Sequence, residues 1–77
     1  MNRHSLTKIR YAISETVFTS LKVYSLLGQE VATLINEEKT PGVYEVTFDA
    51  IELISGSYFY KLQAGNFINT KKMILLR

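Results

Sequence analysis

The sequence predicts an all-β fold, a compact antiparallel β-sandwich of two sheets and six or seven short strands. Three observations predict it. Apolar and polar residues alternate with period two along most of the chain, while the 3.6-residue period of a helix is almost absent. Turn signals built from Gly, Asn, Ser and Pro recur about every ten residues. A length of 77 residues with 47% apolar content supports one core and no more.

Taken in chain order, Ile9, Tyr11 and Ile13 alternate with Lys8, Arg10 and Ala12, a strand buried on one side. Leu21 and Val23 alternate with Ser20 and Lys22 up to a break at Leu27-Gly28. In EVATLIN (30–36) the β-branched Val31, Thr33 and Ile35 favour strand over a helical turn. NEEKTPG (36–42) reads as a charged turn closed by Pro41-Gly42, with the proline where a strand's first residue need not donate. Tyr44, Val46 and Phe48 form the next inward row, and residues 49–57 connect, tucking in Leu53 and turning at Gly56. Tyr58, Tyr60 and Leu62 repeat the alternation. Ala64-Gly65-Asn66 makes a tight hairpin, and a last strand starts at Phe67. GVYEVTF (42–48) and GSYFYKL (56–62) share a Gly-x-Tyr start, a turn followed by an aromatic anchor on the core face. A barrel is the rival architecture.

Composition excludes several function classes. The net charge of +2 comes from nine Lys/Arg and seven Asp/Glu scattered along the chain, unlike the clustered basic stripe of a nucleic-acid module. Without cysteine there is no disulfide staple and no thiolate metal site. No run approaches the roughly 18 apolar residues of a membrane span. The opening MNRHSLTKIRYAIS lacks the apolar region of a secretory signal. Either the protein is cytoplasmic, or the chain is the C-terminal piece of a longer one whose signal lies upstream.

Catalytic chemistry finds little support. His4 is the single histidine and Asp49 the single aspartate, and no nucleophile-elbow pattern joins them to a serine. Glu37 and Glu38 fall in the charged turn, where neighbouring side chains point apart and solvation explains them better than acid–base work. One histidine and no cysteine make no tetrahedral metal site, the acidic residues lack calcium-loop spacing, and Gly28 alone cradles no phosphate. The expectation is a protein with no enzymatic activity, no cofactor and no metal. Of the five tyrosines, Tyr11, Tyr44, Tyr58 and Tyr60 fall on the core row. Only Tyr24 is out of phase, and a sugar-binding platform would need several exposed, coplanar rings.

The ending TKKMILLR (70–77) breaks the alternation. Thr70, Lys72, Ile74 and Leu76 face one way and Lys71, Met73, Leu75 and Arg77 the other, so both faces are apolar beyond Lys72. A sandwich strand has one outer face, so either Met73 and Leu75 or Ile74 and Leu76 lie outside the core. The surplus apolar face either covers an open edge or meets a partner that pairs with the strand.

Four segments carry a resemblance: LKVYSLLGQEVATLI (21–35), PGVYEVTFDA (41–50), SGSYFYKLQAG (55–65) and TKKMILLR (70–77). In order and without gaps, they resemble the C-terminal sorting domain of the type IX (Por) secretion system of Bacteroidetes. That profile blends into the immunoglobulin-like domain of the flagellar hook-cap protein. The resemblance implies a compact immunoglobulin-like sandwich over residues 7–77 that acts as a non-enzymatic sorting signal. It further implies a cargo domain upstream in the same polypeptide, and recognition in the periplasm by the outer-membrane translocon. Removal by a surface sortase-like protease and a secreted or cell-surface destination follow from it too, with no nucleic acid among the partners.

Carried over by position, the recognition residues are Pro41, Gly42 and Tyr44, then Gly56 and Tyr58, then Lys71, Lys72, Met73, Ile74, Leu75 and Leu76. Thr7, Ile9 and Tyr11 fit the family's Thr-x-Ile-x-Tyr opening. Asn2, however, is followed by Arg3 where members often have Asn-Pro, so residues 1–6 are a linker or an artificial remnant. The runner-up reading is a structural or adhesive immunoglobulin- or fibronectin-like module of a larger secreted protein, which predicts sequence beyond Arg77.

Overall fold

The period-two rows of the sequence become strands. The computed structural model describes residues 6–49 and 53–75. Among these the chain forms β1 (Leu6–Ile13), β2 (Val17–Ser25), β3 (Glu30–Lys39), β4 (Gly42–Asp49), β5 (Gly56–Ala64) and β6 (Phe67–Leu75). β1 and β4 pair into a two-stranded sheet, and the other four form a sheet in the order β3-β2-β5-β6, with every pairing antiparallel. The fold is thus the antiparallel two-sheet sandwich that the alternation predicts, with six strands.

Inward rows meet between the sheets. Ile9, Tyr11 and Ile13 of β1 pack with Leu21 and Leu62, joined by the half-buried Tyr44, Val46 and Ile35. Towards the other pole, Val23, Phe48, Tyr58, Met73 and Leu75 form a second cluster, with Leu53 packed against it as expected. Leu34 and Tyr60 touch both clusters and join them into one core. Leu21, Val23 and Leu75 are at most 1% exposed, so each contributes about 1.5–3 kcal/mol of burial. Net stability of a whole domain is only roughly 5–15 kcal/mol, so the loss of one such side chain is felt.

Two departures from the sequence pattern concern β3. The expected charged turn over 36–42 is mostly strand, because β3 continues to Lys39. As an edge strand it tolerates charge on its open side. Its extra residues pair with the start of β2, as Glu38↔Phe18 and Lys39↔Val17. Glu37 and Glu38 still point apart, now through the pleat. The register also shifts twice along the β2–β3 ladder, leaving Val31 and Leu34 without a direct partner. Leu34 and Ile35 are therefore both half-buried, where strict alternation would expose one.

Four strands cannot be covered by two. β4 lies on the β3 side, with the Lys39 ammonium 4.9 Å above the Tyr44 ring. β1 lies towards β6, where residues 9–12 and Phe67, Asn69 and Lys71 line one cleft. Phe67 and Lys71 are in phase with buried Met73 and Leu75, yet both are exposed.

Candidate functional site

The residues singled out from the family pattern begin with two tyrosines. Tyr58 is buried, and its hydroxyl donates to the Ile54 carbonyl at 2.8 Å. Tyr44 donates to the Thr40 carbonyl at 2.6 Å and shares a further 3.1 Å contact with the Thr40 Oγ1. Both rings point into the core while the hydroxyls secure the chain four residues upstream, which satisfies the phenol and fixes the entry of each strand. Gly42 and Gly56, two residues before each tyrosine, have φ of +156° and +150°. Glycine occupies that extended, positive-φ region at little cost and other residues do not. The shared Gly-x-Tyr pattern is therefore one device used twice. Its hydrogen bond was legible only as a choice of Tyr over Phe at both positions.

The two copies stand at opposite poles. Gly42 pairs with Ile13 and Tyr44 with Tyr11, whose ring it stacks on at 5.4 Å between centroids and 21° between planes. Burial pushes the Tyr11 hydroxyl above its ordinary range, partly opposed by the nearby Lys39 charge. Lys39 holds its proton more tightly than usual through its hydrogen bond to Glu37, 2.7 Å away. Pro41 sits exposed in the adjoining turn.

At the other pole the second copy meets the terminal strand directly. Gly56 pairs with Leu75, Ser57 with Ile74 and Tyr58 with Met73; Phe59 and Tyr60 pair with Lys72 and Lys71. The open choice of faces resolves in favour of Met73 and Leu75 inside, at 8% and 1% exposure, with Ile74 outside at 63%. Lys71 and Lys72 project to opposite faces and both are exposed. Leu76 lies outside the described residues. β6 is an edge of its sheet, so one side of its backbone faces no strand among those described. The structure thus brings Gly56, Tyr58 and residues 71–75 together and leaves Pro41, Gly42 and Tyr44 at the far end.

Other chemistries gain nothing from the arrangement. Among the described residues no three His, Cys, Asp or Glu gather as a metal cluster, and His4 lies outside them. Among the described residues no helix is long and apolar enough to cross a membrane. Tyr24 is on the outer face as expected, but half-buried beside Phe59 with the Lys61 ammonium 5.6 Å above its ring. The stacked aromatic pair, Tyr11 and Tyr44, faces inward. Neither makes a sugar platform.

The decisive comparison is with known families. The family model of the secretion system C-terminal sorting domain matches residues 4–76. The chain belongs to this family. The match starts at His4, and β1 starts at Leu6. No curated protein and no solved structure matches the chain. Membership makes the sorting domain a type IX secretion signal and places it in a family that is not one of enzymes. It implies an upstream cargo, interaction with the secretion system, and export to the surface or beyond.

Proposed function

We propose that the outer-membrane translocon recognises this sorting domain from the periplasm, and that a surface sortase-like protease removes it once the cargo has crossed. The observation carrying this reading is the pairing of Gly56 with Leu75 and Tyr58 with Met73, which joins two family motifs into one edge at one pole. An edge strand offers unpaired backbone groups together with a row of side chains, the two elements that strand-pairing recognition uses. In this reading Met73 and Leu75 anchor β6 from inside while Ile74 and Lys72 are read from outside. Lys71 joins them from the inner side, and Leu76 is included by family position alone. Gly42 and Tyr44, with Pro41 in the turn before them, serve folding.

The test is export of a reporter fused upstream of the domain in a type IX-competent host. Deleting residues 70–77 is expected to trap the reporter in the periplasm. Ile74→Glu, which leaves the core intact, is expected to lower export without changing the melting temperature of the purified domain. Export that survives the deletion would remove β6 from the recognised surface.

A further inference from the structure

Charge is segregated across the sandwich. β1 and β6 carry Lys8, Arg10, Lys71 and Lys72 and no Asp or Glu. β3 and β4, on the other side of β1, carry Glu30, Glu37, Glu38, Glu45 and Asp49 against Lys39 alone, and of these Glu45 stands across the β1–β4 ladder from Arg10. The net charge of +2 conceals this asymmetry. The ion pairs Lys22–Glu30 and Lys39–Glu37 are both made by β3 carboxylates, so neither draws on a cation of β1 or β6.

The cationic flank has the shape of a missing strand. β1 is an edge of the smaller sheet, and nothing described lies beyond it to cover the first half of β6. The cleft there has a volume of about 160 Å³, with Tyr11, Leu21, Tyr60 and Leu62 as apolar lining and Arg10 and Lys71 among its polar residues. Past Ala12 and Phe67 it continues into a second opening of about 330 Å³ whose lining includes Glu15. Phe67 stays 58% exposed beside it despite its inward phase.

We propose that this flank takes an extended acidic segment of a partner protein, laid along β1 as a third strand of the smaller sheet. Its backbone pairs with the free edge of β1, its alternate apolar side chains enter the cleft over Phe67, and its carboxylates, on the outer face, meet Lys8 and Arg10. Cations along an edge disfavour strands of like charge and favour acidic ones, so the same residues that keep two β1 edges apart select this partner. A second copy of the chain fits less well. Its own β1 and β6 bring like charge, and its acidic β3 edge carries two register shifts that bend it away from straight pairing. The inference goes beyond the sorting reading and does not rest on it, since that reading concerns the Tyr58 pole and the end of β6.

The probes are two acetylated, fluorescein-labelled peptides of about ten residues, long enough to follow β1. One alternates Glu with Val and Thr; the other has Lys in place of Glu. Each is titrated with the full 77-residue chain while anisotropy is read, and amide shifts of the labelled chain map the contact. The acidic peptide is expected to bind at least about tenfold tighter than the basic one, more weakly as salt rises, with shifts at residues 8–12 and 67–71. In a Lys8→Glu, Arg10→Glu double variant the preference is expected to reverse, a gain for the basic peptide that unfolding cannot mimic. Equal affinity for both peptides, no binding below about 1 mM, or shifts confined to β3 would overturn the proposal. Self-association with shifts on both flanks would overturn it too, by making a second copy the occupant. No export measurement enters, so failure here leaves the sorting reading standing.

Discussion

The Tyr58 hydroxyl reaches back to the Ile54 carbonyl at 2.8 Å, and Tyr44 makes the same four-residue reach to Thr40. The arrangement is that of a tyrosine corner, in which a core ring secures the chain entering its own strand. Tyr58→Phe is expected to cost about 0.5–1.5 kcal/mol, the net worth of one hydrogen bond. In a domain this small each kcal/mol lowers the melting temperature by about 4–8 °C. Tyr44→Phe should cost less, because Tyr44 and Thr40 are more exposed and water replaces the lost partner. Thermal unfolding of both variants checks the ranking, and a reversed order would contradict the burial argument.

Gly56 tests backbone conformation separately from space. A Cβ built there meets nothing within 4 Å, so any cost of substitution comes from its φ of +150°. Gly56→Ala and Gly56→Ser are each expected to destabilise by about 1–3 kcal/mol, and by similar amounts. Urea unfolding measures this. A cost that grows steeply with side-chain size would mean that packing, not conformation, selects the glycine.

Adjacent residues of β6 should separate folding from recognition. Leu75→Ala removes a fully buried side chain and is expected to cost about 2–5 kcal/mol, enough to unfold much of a marginal domain. Ile74→Ala, at an exposed position, should stay within about 0.5 kcal/mol. Chemical denaturation of the two variants provides the comparison. Similar losses at both positions would place Ile74 in the core and overturn the assignment of faces.

Tyr11 is expected to make stability fall at alkaline pH. Burial raises its folded-state pKa above the ordinary 10.0, so the folded protein keeps the neutral phenol longer than the unfolded chain does. The stability this contributes is complete below 10.0 and is lost as pH rises through the higher folded value. Lys39, also raised, acts with the same sign. Tyr11→Phe is therefore expected to shrink the alkaline loss without abolishing it, as read by denaturant midpoints across that range. An unchanged slope would rule Tyr11 out as a source.

Most of the fold was legible because period two survives burial on one face. The rows Ile9-Tyr11-Ile13 and Tyr58-Tyr60-Leu62 lie inward as alternation requires. β3 was harder to read: its charges are acceptable on an edge strand, and its register shifts bring Leu34 and Ile35 inward together. The terminal strand left two equivalent apolar faces, and only the placement of Phe48 and Leu53 against Met73 and Leu75 decides between them. The separation of the two Gly-x-Tyr copies to opposite poles had no local signal at all. It follows from β4 pairing with β1 while β5 pairs with β2 and β6.

The register Leu6↔Asp49 and the packing of Phe48 with Leu75 bring the start of β1 and the end of β6 to the same pole. The start of β1 and the last strand thus share a doorway. On the reading proposed above, what grips the last strand stands beside the chain that leads in from the cargo, so capture and severing need no long reach across the domain. A partner docked at that pole, on the same reading, meets both the last strand and the chain that leads into β1.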